Sequence, residues 1–174
     1  MPPQNLRLMS YNPQWRQEFE QTKSSVLQAT EGWITDIEHI GSTALSDGIA
    51  RPIVDVVAGI SDMQGLNEAA LLVEGLNYAR VESPDWCSEE LTACLQRPRS
   101  GEVTHTVLIV KHEGSAWSRA LRIRSWLADH LADWQTLQSV KQDNFAAGCQ
   151  ALAKYSAAKD AFFEELETRI HSSA

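Results

Sequence analysis

The chain of 174 residues has few cysteines, a deficit of positive charge and no long apolar run, and each shortage argues against a class of protein. Its three cysteines are odd in number and irregularly spaced, so neither a disulfide framework nor a zinc-ligand pattern is visible. Lysine and arginine total 15 against 23 acids, and a net charge of −8 argues against nucleic acid as the main partner. No apolar run reaches membrane-spanning length, and residues 1–10 lack a signal-peptide core. We therefore expect a cytoplasmic protein with no membrane partner.

The residues that are present predict a core and a regular order of elements. Apolar residues make up 43% of the chain, which is ample for a folded domain. A helix is predicted over 11–30, with Asn12 as its cap and Pro13 in its first turn. The apolar patterns predict strands over 34–40, 52–60, 77–83, 90–97 and 103–111, one helix over 63–76, and three C-terminal helices over 115–131, 132–147 and 150–170. This order favours an α+β fold in one domain, 1–174, with a mainly sheet part over 1–112 and a helical part over 113–174.

Each of the three C-terminal helices places one cation in the middle of its apolar side. At 100° per residue these cations are Arg124, Lys141 and Lys159. Long side chains often lie along apolar surface and keep their charge in water. Three in succession also fit a shared anion, which is either a set of carboxylates on the sheet or a bound phosphate. Both interpretations remain open at this stage.

Asp55 interrupts the most apolar of the predicted strands. On an extended strand it shares one face with Ile53 and Val57. A carboxylate buried there needs a cation, a metal ion or several hydrogen-bond donors. It is therefore either paired with Arg51 or a helix cation, or it is a metal or substrate ligand close to the turn at Gly41, whose backbone donors could hold phosphate.

Two histidines are further candidates for chemistry. His105 lies between two threonines on a predicted strand, and His39 directly precedes the Gly-Ser turn. Either residue is a base or a ligand, or a hydrogen-bonded histidine of the core. The turn itself, Ile40-Gly41-Ser42-Thr43-Ala44, is not the Gly-x-Ser-x-Gly elbow of a hydrolase, and a hydrolase nucleophile at Ser42 is not expected from this motif.

Several segments, taken in order, resemble the GrpB family. They read YNPQWRQEFE, IEHIGSTAL, IARPIVDVVAGI and THTVLIV, followed by IRSWLADH, LQSVKQDNFA and YSAAKDAFFEEL near the C-terminus. GrpB proteins are in turn similar to the DNA polymerase β-like nucleotidyltransferase superfamily. In that superfamily a Gly-Ser pair after the first strand holds nucleotide phosphates, and acids spaced as Asp-x-Asp bind divalent metal. The resemblance implies a nucleotidyltransferase-like mixed sheet, with an N-terminal helix and three C-terminal helices packed on it.

The resemblance also implies roles for individual residues. Asp55 would act as the catalytic and metal-binding acid for Mg²⁺; His105, chosen above from its strand context, is the second catalytic candidate. A nucleotide or another phosphorylated small molecule would be the partner. By the resemblance Gly41 and Ser42 would hold phosphate. The predicted substrate-binding set is completed by Thr43, Arg51 and the three helix cations Arg124, Lys141 and Lys159, which fall where the family also carries Arg or Lys.

The chain also departs from the pattern at the second metal-binding position. Val57 stands where the second acid of Asp-x-Asp is expected, and valine cannot bind magnesium. Asp36 and Glu38 on the preceding strand are the acids that could compensate. Two functions follow: a nucleotidyltransferase-like enzyme, or a non-catalytic module that keeps the fold and binds a ligand or a protein. The loss at Val57 leads us to expect weak or absent metal-dependent catalysis.

Overall fold

The structure, a computed structural model, describes residues 6–145 and 151–173. Within these residues there are five α-helices and seven strands. The helices are α1 Gln14–Ala29, α2 Leu66–Glu74, α3 Ser115–Asp129, α4 Leu131–Phe145 and α5 Ala151–Ser172. The strands are β1 Met9–Ser10, β2 Ile34–Ile40, β3 Ile49–Ala50, β4 Val54–Ile60, β5 Ala79–Val81, β6 Ala93–Arg97 and β7 His105–Lys111. The predicted helix limits at 147 and 150 lie outside the described residues.

Five strands form one mixed sheet in the order β2-β4-β7-β6-β5. Strands β4 and β7 run parallel, and the other three neighbouring pairs are antiparallel. The mixed sheet with its helices confirms the predicted α+β class. The short strands β1 and β3 pair separately as an antiparallel ribbon, which the sequence patterns did not predict.

Helix α1 begins at Gln14, with Pro13 at its N-cap and not in its first turn as predicted, and it covers one face of the sheet. Asn12 accepts a hydrogen bond on Oδ1 from the backbone N–H of Gln14 at 3.0 Å, so the helix starts just after Pro13. Its buried residues follow helical spacing and pack with α2 on the β4 face that carries Val54 and Val56. They are Trp15, Phe19, Thr22 and Val26.

The opposite face of the sheet carries Asp55 and lies under α3. Val57 and Leu108 are buried there against Trp117 of α3. A separate apolar cluster joins α3, α4 and α5 through Leu127, Leu137 and residues of α5. Burying each large aliphatic side chain of this kind stabilises the fold by about 1.5–3 kcal/mol. The helices are thereby held over the sheet face on which Asp55 lies.

Leu131 is exposed in the structure, although the sequence pattern predicts that it is buried. The periodicity places Leu131 on the inner side of the first C-terminal helix, but it is 66% exposed. The reason is that α3 ends at Asp129, and Leu131 begins α4 in a new direction.

Within the described residues, no helix is both long and apolar enough to cross a membrane.

Candidate functional site

The turn after β2 brings Gly41 against the carboxyl of Asp55. Ile40, the last residue of β2, is the register partner of Asp55 on β4. Gly41 has φ 73° and ψ −174°, a conformation that is open almost only to glycine. A Cβ built on Gly41 would lie 3.0 Å from Oδ2 of Asp55. The absence of a side chain therefore lets the turn lie directly over the carboxyl group.

Asp55 is partly buried, and its surroundings shift the pKa of its carboxyl group in opposite directions. Burial raises its pKa, while the charge of Lys159, a hydrogen bond from the Thr106 hydroxyl and the charge of Arg51 lower it. Thr106 is the partner of Asp55 on β7, so the parallel register brings the donor to the acid. Because the pKa remains raised on balance, Asp55 is protonated more readily than an exposed aspartate.

Lys141 reaches from α4 to the turn and binds Ser42. Its Nζ donates to Ser42 Oγ at 2.6 Å and to the carbonyl oxygen of Ile49 at 2.8 Å. The residue is 1% exposed, and its Nζ lies 5.0 Å from the centre of the Trp134 ring. Burial, assisted by the charge of Lys159, lowers the pKa of Lys141 to about 7. The amine is therefore shared between its charged and neutral forms near neutral pH.

Arg124 of α3 is anchored to the end of β2. Its Nη1 donates to Glu38 Oε2 at 2.6 Å and to the carbonyl oxygen of His39 at 2.9 Å. Lys159 of α5 is partly buried, and burial lowers its pKa while the charge of Asp55 raises it. The two cations thus approach the same turn from two different helices, and each lies near a protein carboxyl group.

A cavity of about 800 Å³ opens beside the turn, between the sheet and the helices. Gly41, Ser42, Arg124 and Lys159 all contribute to its wall. Apolar side chains form much of the rest, and they are Ile40, Leu45, Ile123, Leu127, Leu137 and Phe163. The structure thus places four of the predicted site residues around one concave space of ligand size.

Acids and one further arginine line the same cavity. The acids are Glu82, Asp85, Asp160 and Glu164. Arg119 is held by two hydrogen bonds of 2.6 Å to Glu167, and its guanidinium lies 4.7 Å from the centre of the Trp86 ring. The cavity is therefore not uniformly positive, because the wall carries charge of both signs.

A match over most of the chain identifies the family. Residues 5–169 match the family model described as GrpB protein. The chain belongs to the GrpB family. Relatives of the GrpB chain include a UPF0157 protein of Halalkalibacterium halodurans, 25% identical over 170 residues that cover 97% of this chain and 84% of that protein. A second is the glutamate-rich protein GrpB of Alkalihalophilus pseudofirmus, 24% identical over 123 residues that cover 69% of this chain and 70% of that protein.

The fold of the GrpB chain is also found in a solved structure. A crystal structure of the conserved protein GrpB from Enterococcus faecalis superposes with a TM-score of 0.71 at 19% identity. The superposition covers 92% of this chain and 99% of that one. The likeness establishes a shared GrpB fold across almost the whole of both chains.

Thr43 and His39, which flank the turn of this GrpB chain, bind each other on the α1 face of the sheet. Thr43 is 3% exposed, and its hydroxyl donates to the carbonyl oxygen of Ile53 at 3.1 Å. Its oxygen therefore accepts the Nε2–H of His39 at 2.9 Å. His39 also stacks on Phe19, and burial, with the charge of Arg124, lowers its pKa to about 4. The hydroxyl of Thr43, implied to bind substrate, is thus committed to holding the turn.

His105 lies on the opposite face of the sheet from Asp55, so the two implied catalytic residues do not share a site. Register pairs His105 with Val54 and Asp55 with Thr106, and side chains alternate along each strand. Arg97 Nη2 lies 3.0 Å from both ring nitrogens of His105. Burial and the charge of Arg97 lower the pKa of His105 to about 4. It is a neutral histidine of the sheet face that α1 and α2 cover.

The residues around Asp55 do not fit a magnesium ion. Val57, in the position of the second acid, is 0% exposed and packs between the sheet and α3. Glu38, one acid that could compensate, is bound to Arg124. In the part of the chain that the structure describes, no three His, Cys, Asp or Glu side chains come together as metal ligands. Mg²⁺ requires several oxygen ligands. This site offers it one carboxyl group, whose pKa is raised and which lies beside a lysine.

Sequence reasoning missed the acids of the cavity wall. It offered carboxylates of the sheet as partners of the helix cations, and Glu38 of β2 is such a partner for Arg124, although the pair itself was not predicted. Glu82 lies in the predicted strand 77–83 but follows the end of β5 at Val81, and Asp85 lies in the predicted turn, whose position in space the sequence does not give. Glu164 belongs to the acidic segment EELETR, whose charges are most simply interpreted from the sequence as a solvated helix face. The proximity of Asp160 to Lys159 in the chain is the one signal that places an acid near this site.

Proposed function

We propose that the cavity beside the Gly41–Ser42 turn binds a phosphorylated small molecule, and that this chain does not catalyse metal-dependent nucleotidyl transfer. A nucleoside monophosphate is one such molecule. One observation carries the proposal: the turn opens into a cavity of about 800 Å³ that Arg124 and Lys159 also line. The resemblance to nucleotidyltransferases, in which a Gly-Ser pair holds phosphate, supports the same assignment.

Ser42 is oriented to donate to an anion. When Lys141 is protonated it donates to Ser42 Oγ, so the hydroxyl proton of Ser42 remains available for another acceptor. Ser42 lines the cavity, and a phosphate oxygen there would accept that proton. Lys159 and Arg124 would add positive charge from two helices. Lys141 would thus act as a positioning residue beneath the phosphate.

The charges of the wall limit how much negative charge a ligand can carry. The cations Arg119, Arg124 and Lys159 face the four wall acids named above. Arg119 and Arg124 are already paired with Glu167 and Glu38. A triphosphate would meet repulsion from the acids without a metal to offset it, whereas one phosphate group would be tolerated.

The position of Val57 favours the non-catalytic form of this function over the transferase. Two-metal phosphoryl transfer needs oxygen ligands around ions that are about 4 Å apart. Val57 places apolar surface where the second carboxylate would stand. We therefore infer a ligand-binding protein that keeps a nucleotidyltransferase-like architecture.

A thermal-shift series with and without magnesium tests the proposal. AMP, ATP and inorganic phosphate are compared at equal concentration, each in the presence and in the absence of Mg²⁺. We expect AMP to raise the melting temperature more than ATP, independently of Mg²⁺; a ligand at 100 times its Kd stabilises by about 2.7 kcal/mol. The variants Arg124→Gln and Lys159→Gln should reduce the shift.

Arg122→Gln is the matched control. Arg122 is exposed on α3 and does not line the cavity, so its variant should keep the full shift. No shift with any phosphorylated compound, or a shift reduced equally by Arg122→Gln, would contradict the proposal. A shift that requires Mg²⁺ and disappears in Asp55→Asn would restore the metal-dependent interpretation.

A further inference from the structure

Ser42 and Lys141 form a buried hydroxyl–amine pair at the wall of the cavity. We propose that Ser42 Oγ is a nucleophile, activated by Lys141 as its base, which accepts an acyl group from an ester with an apolar acyl chain. This reaction needs neither a metal nor the phosphate binding proposed above, so it goes beyond that function. A serine with a lysine base is a known alternative to the serine–histidine arrangement.

The contacts of Lys141 orient its amine towards Ser42. A neutral amine has two protons and one lone pair. One proton is directed to the carbonyl oxygen of Ile49 at 2.8 Å, and Ser42 Oγ lies 2.6 Å from the same nitrogen. The lone pair can therefore accept the Ser42 proton while Ile49 holds the amine in place. A base oriented by a third group is the usual arrangement around an activated nucleophile.

Burial separates the two members of the pair into different environments. Lys141 is 1% exposed, whereas Ser42 keeps accessible surface and lines the cavity. Ser42 is thus the member of the pair that faces the cavity, and the amine of Lys141 lies 2.6 Å from its oxygen, close to the carbon that this oxygen would attack.

The lining of the cavity identifies an acyl group as the electrophile. Leu45 and Leu137 lie on the wall with Ser42, and four further apolar side chains continue it. Apolar surface of this extent favours an acyl chain over a polar or charged group. The acids Glu82, Asp85 and Glu164 on the same wall disfavour a strongly anionic leaving group.

The step balances with the groups at hand. Ser42 Oγ attacks the ester carbon as its proton moves to Lys141 Nζ, and a new C–O bond forms. The bond to the leaving alkoxide then breaks, and the leaving oxygen takes the proton from Lys141. Water subsequently attacks the acyl-serine with Lys141 as base, which releases the acid and restores both side chains.

The surroundings of Lys141 support its role as a base. The groups that face it are Ser42, the Ile49 carbonyl, the Trp134 ring and the charge of Lys159. Burial and Lys159 lower the pKa of Lys141 to about 7, which is close to the value at which a general base works best at neutral pH.

The experiment uses a fluorophosphonate, which adds to an activated serine and releases fluoride, with p-nitrophenyl butyrate as a turnover substrate. Intact-mass measurement and peptide mapping should show one adduct, on Ser42. Its rate should rise with pH and reach half its maximum near pH 7. Ser42→Ala should abolish the adduct, and Lys141→Met should slow it by at least about 100-fold.

Ser118→Ala is the control, because Ser118 is exposed on α3 and does not line the cavity. It should label at the wild-type rate. Absence of an adduct on Ser42 at pH 8, or equal labelling in a folded Lys141→Met protein, would overturn the proposal. If Lys141→Met does not fold, the wild-type profile decides: a labelling rate independent of pH between 6 and 8 also overturns it.

Discussion

Gly41 and Asp55 approach each other so closely that a methyl group on Gly41 would lie 3.0 Å from the carboxyl oxygen Oδ2. The contact joins the end of β2 to the start of β4 and sets the height of the Gly-Ser turn above the acid. Both the turn conformation and this contact exclude a side chain. The contact between Gly41 and Asp55 therefore fixes the position of the Gly41–Ser42 turn, which forms part of the cavity wall.

Gly41→Ala should destabilise the protein by about 1–3 kcal/mol, because alanine is strained at φ 73° and its methyl group would press on Asp55. Urea denaturation at pH 7 measures the loss. Gly101→Ala is the control, since Gly101 also has a positive φ of 102° but nothing lies within 4 Å of a built Cβ. An equal loss in both variants would mean that the contact with Asp55 contributes nothing.

Lys141 should make stability increase with pH. Its pKa is about 7 in the folded protein and 10.5 unfolded, so the unfolded chain binds more protons between these values. Unfolding free energy should therefore rise above pH 7, by up to about 1.4 kcal/mol per pH unit. Denaturant melts of wild type and Lys141→Met from pH 6 to 9 isolate this contribution as their difference. A difference that is constant over this range would contradict the lowered pKa.

His39 should make the protein lose stability in acid. Its folded pKa of about 4 lies below the ordinary histidine value of 6.5, so the unfolded chain binds more protons in this window. Stability should fall by up to about 1.4 kcal/mol per pH unit as pH drops from 6.5 to 4. In His39→Gln that slope should be shallower, with His171→Gln as an exposed histidine control. Parallel slopes in wild type and His39→Gln would contradict the assignment.

Val57→Asp restores the second acid of the Asp-x-Asp pattern but should not restore a metal site. Residue 57 is fully buried among Leu108, Trp117 and other apolar side chains, and an unpaired carboxylate there should destabilise the protein by several kcal/mol. Val57→Thr, of similar shape, is the milder comparison. Stabilisation of Val57→Asp by millimolar Mg²⁺ in a thermal melt would show that the position can still bind metal.

The order of strands and helices could be predicted because it depends on local patterns. Strand β2 has the predicted limits, and Trp15, Phe19 and Val26 of α1 are buried as their spacing indicates. The ribbon of β1 and β3 escaped prediction because each strand has two residues, too few for any periodicity. The cations Arg124 and Lys159 could be found because each lies at the centre of an apolar helix side.

What the sequence by itself determined is therefore the set of longer elements, the alternation of faces along β4 and the presence of a turn at Gly41. Only the tertiary structure decided which side chains meet across those elements. The register between β4 and β7 pairs Val54 with His105, and a slip of one residue would have moved His105 to the side of Asp55. The contact between Lys141 and Ser42 spans 99 residues. Such contacts depend on how helices pack on the sheet, which residue-by-residue patterns do not encode.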